Sequence, residues 1–309
     1  MIKNYLITAL RNLWKNKTFG FLNIVGLGIG ITCAALIMLW VENEIMFDTS
    51  IQNRDNIYQL LENQTYDGKT YTFASMPGPF AAVAQSEIPG IKRAARTNWG
   101  SRSLFSLGEK EIFENGNEAD SQIFKIFSMQ FIYGNSRTAF DDVYSLVISE
   151  TMSRKFFDNE NPIGKTLKVN NADEYKITGV FKDFPYNTTY SYDWLMPFEN
   201  FEEKNAWLKD WKSNGVQTFA ELQPKADRDL LNDKLKNFIQ SKDTSAAARP
   251  FLFSINDWRL RWSGNKWLQD FAFRIPVQGY VFVLAAFVTV ALVACTVGYH
   301  TVRVALINR

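Results

Sequence analysis

Apolar and polar positions change their period along the chain. In MIKNYLITALRNLWKN, residues 1–16, Ile2, Tyr5, Leu6, Ala9, Leu10, Leu13 and Trp14 recur at helical spacing and share one face. Lys3, Asn4, Arg11, Asn12 and Lys15 take the other face, which predicts a basic amphipathic helix. Periodicity then disappears. TFGFLNIVGLGIGITCAALIMLWV, residues 18–41, contains no Asp, Glu, Lys or Arg, and neither does IPVQGYVFVLAAFVTVALVACTVGYHTV, residues 275–302. Each exceeds the ~20 apolar residues that cross a bilayer as a helix, so two transmembrane helices are predicted.

Between them, short strand-like and helix-like runs alternate. NIYQLLENQ and KTYTFAS flank Tyr-Asp-Gly, an Asp-Gly hairpin signal. GPFAAVAQSEI reads as a helix that leads through Pro89-Gly90 into a strand, and LFSLGEKEIF as a second hairpin. Asp120 or Ser121 is expected to cap SQIFKIF, with MQFIYG extended after it. SLVIS runs into a helix capped by Ser149, and KTLKVN pairs with YKITGVFKDF across Asn-Asn-Ala-Asp. VQTFAELQP, DRDLLNDKLKNFIQ and FLFSINDW give strand, helix, strand. That order predicts an α+β fold: a mixed layer domain in two subdomains, flanked by two membrane helices.

Charge adds a topology. All 32 acidic residues lie between Glu42 and Asp270, while Lys3, Arg11, Lys15, Lys17, Arg303 and Arg309 lie outside. The ends thus carry six positive charges and the central region −4, against an overall +2. Excess Lys and Arg marks the cytoplasmic side. The expected partition is a cytoplasmic interfacial helix over 1–17, a span over 18–41, an exported region over 42–274, a second span over 275–302 and a cytoplasmic tail over 303–309. A cleaved signal peptide fits poorly, because the apolar run is long and WVENEIM offers no small-residue cleavage site. The amphipathic helix should lie on the lipid bilayer surface. It is either a simple anchor or a collar, seated through Leu6, Leu10, Leu13 and Trp14, that touches a cytoplasmic partner.

The side chains of common catalytic chemistry are sparse. The single histidine is His300, at the end of the second apolar run, and the two cysteines, Cys33 and Cys295, lie within the runs. A histidine triad, histidine metal ligation and a disulfide are therefore excluded from residues 42–274. Asp141 and Asp142 could in principle do acid–base work, but adjacent carboxylates in a polar loop are usually just solvated. NENPIGKTLKV, residues 159–169, contains the Gly-Lys-Thr of a phosphate loop. Asn159 stands where the first glycine belongs, however, and Pro162 removes a backbone N–H. A polar turn between helix and strand is the expectation. No catalytic residue, cofactor, metal or nucleic-acid partner is expected. Gly26 and Gly30 form a G-x-x-x-G pair within the first apolar run, which predicts close approach of another helix.

Several stretches together resemble one family. IKNYLITALRNLWKNKTFGFLNIVGLGIGITCAALI resembles the start of an ABC-transporter permease of the MacB/FtsX-like family, in the version common in Bacteroidetes. FDTSIQNRDNIYQL, ADSQIFKIFSMQFIYGNSRTAF, SLVISETMSRKFF, NPIGKTLKVN and YKITGVFKDFPYNTTYSYDWLMPF resemble its MacB-like periplasmic core domain. The resemblance implies a permease-type subunit that performs no chemistry itself. A cytoplasmic ABC ATPase would be its partner, with a homo-oligomer or another permease subunit in the membrane and a possible periplasmic partner outside. It also implies an inner-membrane location. Family members have at least four membrane helices, so the chain reads as a shortened form that joins the first exported domain to a final helix. A two-helix sensor or scaffold with an exported ligand-binding domain is the alternative, and an exported enzyme comes third.

Overall fold

The computed structural model describes residues 17–258, together with Arg11 and Lys15. Helix α1, Lys17–Ile45, comes first, and it extends past the expected end of the span at Val41. Its segment Val25–Ile45 is long and apolar enough to cross a membrane, and its side chains are almost all exposed. The second expected span, with Cys295 and His300, lies outside the described residues.

The described residues from Lys17 to Trp258 lie within one compact unit. Within it, strands β1 (Ile57–Tyr66), β4 (Ile91–Thr97), β12 (Asn214–Leu222) and β13 (Arg249–Ser254) pair antiparallel in the order β13-β1-β12-β4. Helix α2 (Phe80–Glu87) connects β1 to β4, after the short strands β2 (Lys69–Phe73) and β3 (Met76–Pro77). Helices α6 (Arg228–Leu235) and α7 (Phe238–Lys242) connect β12 to β13. Two interleaved β-α-β units in this order form a ferredoxin-like split β-α-β layer. Phe80, Ala84, Leu231, Leu235 and Ile239 pack with Leu60, Ala220 and Leu252 between the helices and the sheet.

Residues 98–213 are inserted between β4 and β12. They form β5 (Ser101–Leu107), β6 (Lys110–Ala119), β8 (Ser145–Ser149), β9 (Thr166–Val169), β10 (Glu174–Phe181) and β11 (Trp194–Pro197). Strands β5, β6, β11, β8, β10 and β9 pair in a closed circuit, since β11 joins both β6 and β8. Closure removes open sheet edges. Phe105, Leu146, Ile148, Leu167, Ile177 and Trp194 fill the inside, capped by Met152, Phe156 and Phe157 of helix α4, Glu150–Phe157. Gly116 of β6 lies opposite Trp194, where an added Cβ would come within 2.2 Å of the Trp194 carbonyl oxygen. Only hydrogen fits there.

A further core belongs to both parts. Ile57, Ala95 and Phe219 from the four-strand sheet meet Ala119, Val147, Phe181 and Leu195 from the ring. Helix α3, Ile123–Ile126, adds Ile123, Phe124 and Ile126 to this core, and β7, Phe131–Tyr133, pairs with β10. Arg96 of β4 ties the parts through Asp120 at 3.0 Å and Glu202 at 2.8 Å. Its guanidinium also lies 4.2 Å from the Phe198 ring centroid. Phe198 opens helix α5, Phe198–Lys204.

Most of the local expectations hold. Asp67 and Gly68 take positive φ in the first hairpin, and Ser149 Oγ accepts from Met152 N at 3.0 Å as the cap of α4. Two differ. Neither Asp120 nor Ser121 caps α3, which starts after Gln122 with no side-chain cap; the Asp120 carboxylate takes the Arg96 backbone N–H and guanidinium instead, a charge-assisted set stronger than a cap. DRDLLNDKLKNFIQ breaks into α6 and α7 at Lys236-Asn237, where Asn237 Oδ1 accepts from Arg249. The NPIGKT stretch is a turn from α4 to β9. Gly164 N donates to Ile177 O, Ile163 N to Asn161 Oδ1 and Lys165 N to Pro162 O, so these amides are committed to the fold.

Candidate functional site: the joint below the apolar helix

The apolar helix must leave its axis to enter the folded unit, and the turn that achieves this is held unusually firmly. Met46 N still donates to Glu42 O at 2.9 Å, as a last helical bond. Asp48 then adopts φ 58, in the left-handed region that Asp tolerates better than most residues. Its backbone N–H donates to Asn187 O at 2.9 Å. Asn187 Nδ2 returns a bond to Met46 O at 2.9 Å. The Asp48 carboxylate, only 3% exposed, accepts from Thr189 N at 2.6 Å and from Thr189 Oγ1 at 2.5 Å. Four hydrogen bonds thus fasten residues 46–48 to residues 187–189.

The outgoing connection reaches the same segment. Ser254 Oγ caps the turn Ile255–Asp257 by accepting from Asn256 N, and Asn256 Nδ2 donates to Asp55 Oδ1 at 2.9 Å. Trp258, the last described residue, is 5% exposed. Its ring centroid lies 4.7 Å from Tyr190 and 5.8 Å from Phe219. Tyr190 in turn meets Phe127 at 5.8 Å and Phe219 at 5.1 Å. Ile51, just after the incoming turn, packs in this core as well. Such aromatic contacts each contribute about 0.5–1.5 kcal/mol beyond burial. Burial pushes the Tyr190 and Tyr192 hydroxyls above their ordinary value, so both stay protonated and neutral at neutral pH.

Residues 187–192 therefore grip both connections between the folded unit and the segments flanking it. The side chains that meet here are Asn, Thr, Asp, Tyr and Trp, which bind and pack.

Of the residues expected to form interfaces, Leu6, Leu10, Leu13 and Trp14 lie outside the described residues. Gly26 and Gly30 lie on α1 with nothing within 4 Å of an added Cβ. The residues of the joint were not legible in advance. The available signal was the polar and aromatic alternation of YNTTYSYDW, which reads equally well as a surface loop.

Residues 21–238 match the family model of the MacB-like periplasmic core domain. The chain belongs to this family. It is accordingly one of the MacB/FtsX-like permeases, whose exported domains are built on this fold. A domain of a putative permease protein from Porphyromonas gingivalis is similar at 23% identity, with a TM-score of 0.58, over 66% of this chain and 93% of that one. The periplasmic region of MacB from Actinobacillus actinomycetemcomitans is similar at 14% identity, with a TM-score of 0.50, over 72% and 99%. At these identities the likeness is one of fold. No curated protein matches the chain. The family and the apolar helix together make this a membrane-associated component of the permease class.

Proposed function

We propose that this MacB-like chain is a permease-type subunit of an ABC transporter that couples a cytoplasmic ATPase mechanically to its exported domain. It performs no chemistry of its own. The observation that carries this reading is the joint, in which Asp48 and Trp258 are held by the single segment 187–192. Movement of either flanking helix would then reach the shared aromatic core and displace the four-strand layer against the closed ring, which act as two subdomains. That is a coupling between distant sites through one packed element. Both termini are cytoplasmic in this scheme, a second span follows Trp258, and the amphipathic helix seats the ATPase through Leu6, Leu10, Leu13 and Trp14. Gly26 and Gly30 pack α1 against a partner helix.

The test is recovery of the tagged chain from native membranes in mild detergent, with partners identified by mass spectrometry. A stoichiometric ATPase is expected, and Leu10→Glu or Trp14→Glu should weaken its association. Recovery of the chain alone or as a homomer, at a normal membrane level, would point to a two-helix sensor or scaffold instead.

A further inference from the structure

Strand β1 changes partners at Glu62. As far as Gln59↔Phe219 it pairs with β12, and from Glu62↔Phe73 onward it pairs with β2. β12 meanwhile leaves with β3, through Asn214↔Pro77 and Val216↔Met76. The sheet forks at this point, and one side-chain bond, between Asn214 of β12 and Glu62 of β1, crosses the fork. Asn214 Nδ2 donates to Glu62 Oε1 at 2.8 Å, and Gln64 Nε2 donates to the same oxygen at 2.6 Å.

The bridge leaves two acceptors unsatisfied. Glu62 is 0% exposed, and both its Oε2 and Asn214 Oδ1 are buried acceptors with no partner among the described residues. A buried unpaired carboxylate is costly, whereas the protonated acid supplies one donor where two acceptors lack any. Among the described residues no Lys or Arg forms an ion pair with Glu62, and Lys212, just before β12, is engaged by Asp243. β2 places Phe73 opposite, with Tyr71 and Lys69 further along; β3 offers Met76 and Pro77; β13 places Pro250 opposite, and the neighbouring Arg249 is engaged by Asn237. On β1 itself, Tyr66 donates to Gln64 Oε1, not to Glu62.

We propose that Glu62 is a proton-operated latch: neutral, it holds the outer end of β1, with β2 paired to it, against Asn214 of β12, and ionised, it releases the fork. The hairpin of β1 and β2 carries Tyr66, Tyr71 and Phe73 exposed at its surface, so the acidity around the domain sets the position of an aromatic face. The latch rests on the exported placement given under the proposed function, and its test needs no ATPase.

Burial raises the Glu62 carboxyl to about 7, against the lowering effect of hydrogen bonds from Gln64 and Asn214. The sign follows from linkage. The closed fork binds the proton more tightly than the open one, so closure is fully stabilised below the ordinary carboxylate range. That stabilisation is lost as pH rises toward about 7.

The experiment is hydrogen exchange of the full chain in detergent from about pH 5 to about pH 8, corrected for intrinsic amide rates. In the wild type, opening of residues 69–77 and 214–217 should increase by up to about tenfold per pH unit between about pH 5 and 7, then level off. In Glu62→Gln, permanently neutral and nearly isosteric, opening should stay flat and low. Flat protection in the wild type would overturn the proposal, whether or not the variant folds. So would a wild-type rise that Glu62→Gln reproduces.

Discussion

Asp48→Ala is the sharpest perturbation of the joint. It removes the acceptor of two hydrogen bonds from Thr189, at 2.6 and 2.5 Å. Hydrogen bonds to a charged group contribute about 1.5–3 kcal/mol each, and the exposed Thr189 donors recover part of that from water. Alanine at φ 58 adds roughly 1 kcal/mol of backbone strain. The joint should therefore open more easily by about 3 kcal/mol, which is roughly a hundredfold at ~1.4 kcal/mol per decade. Asp48→Asn keeps the left-handed tolerance and one acceptor, so about 1 kcal/mol is expected, mostly the lost charge. Hydrogen exchange of the full chain in detergent reads both values from peptides covering residues 46–52 and 187–192. The ring strands β5 and β9 should keep wild-type protection, because their buried residues Phe105, Leu167 and Val169 belong to a core that does not include the joint. Exchange at the joint within about twofold of wild type in Asp48→Ala would refute the reasoning. So would equal acceleration throughout the ring, which would make Asp48 a general stability residue rather than a fastening.

Gly116→Ala forces a methyl group to 2.2 Å from the Trp194 carbonyl oxygen, which is backbone and cannot rotate away. A loss of about 3 kcal/mol or more is expected, with reduced Trp194 burial visible in fluorescence quenching; a wild-type melting curve would contradict the closed ring. Gly26→Leu and Gly30→Leu meet open space in the isolated chain, so neither should disturb the folded unit. If these glycines face a partner helix, both substitutions should abolish cross-linked oligomers in membranes, and unchanged cross-linking would remove them from the interface.

What the sequence determined by itself is what local physics controls. The uncharged run over 18–41 makes a long apolar helix wherever it is placed, since each turn satisfies its own backbone. Asp67-Gly68 makes a hairpin because the turn needs positive φ at both residues. Ser149 caps α4 because its hydroxyl needs only an amide three residues ahead. Pro162 and the missing first glycine decide that Gly-Lys-Thr is a turn before any coordinate is known. The alternation of short strands and helices, read beside the family resemblance, gives the α+β class.

Tertiary structure decided everything that depends on pairing across the chain. No periodicity says that β11 joins both β6 and β8, because strand order depends on which surfaces can be buried together rather than on any one strand's pattern. Asp120 looks like a cap until Arg96, 24 residues earlier, claims its carboxylate. Asp48 and Thr189 are 141 positions apart, and neither carries a local signal of the other. Glu62 reads as an ordinary polar strand residue, yet the fork between β2 and β12 buries it completely. The joint and the latch are both made of polar side chains whose roles come from desolvation, and desolvation is set by the neighbours that folding brings from elsewhere.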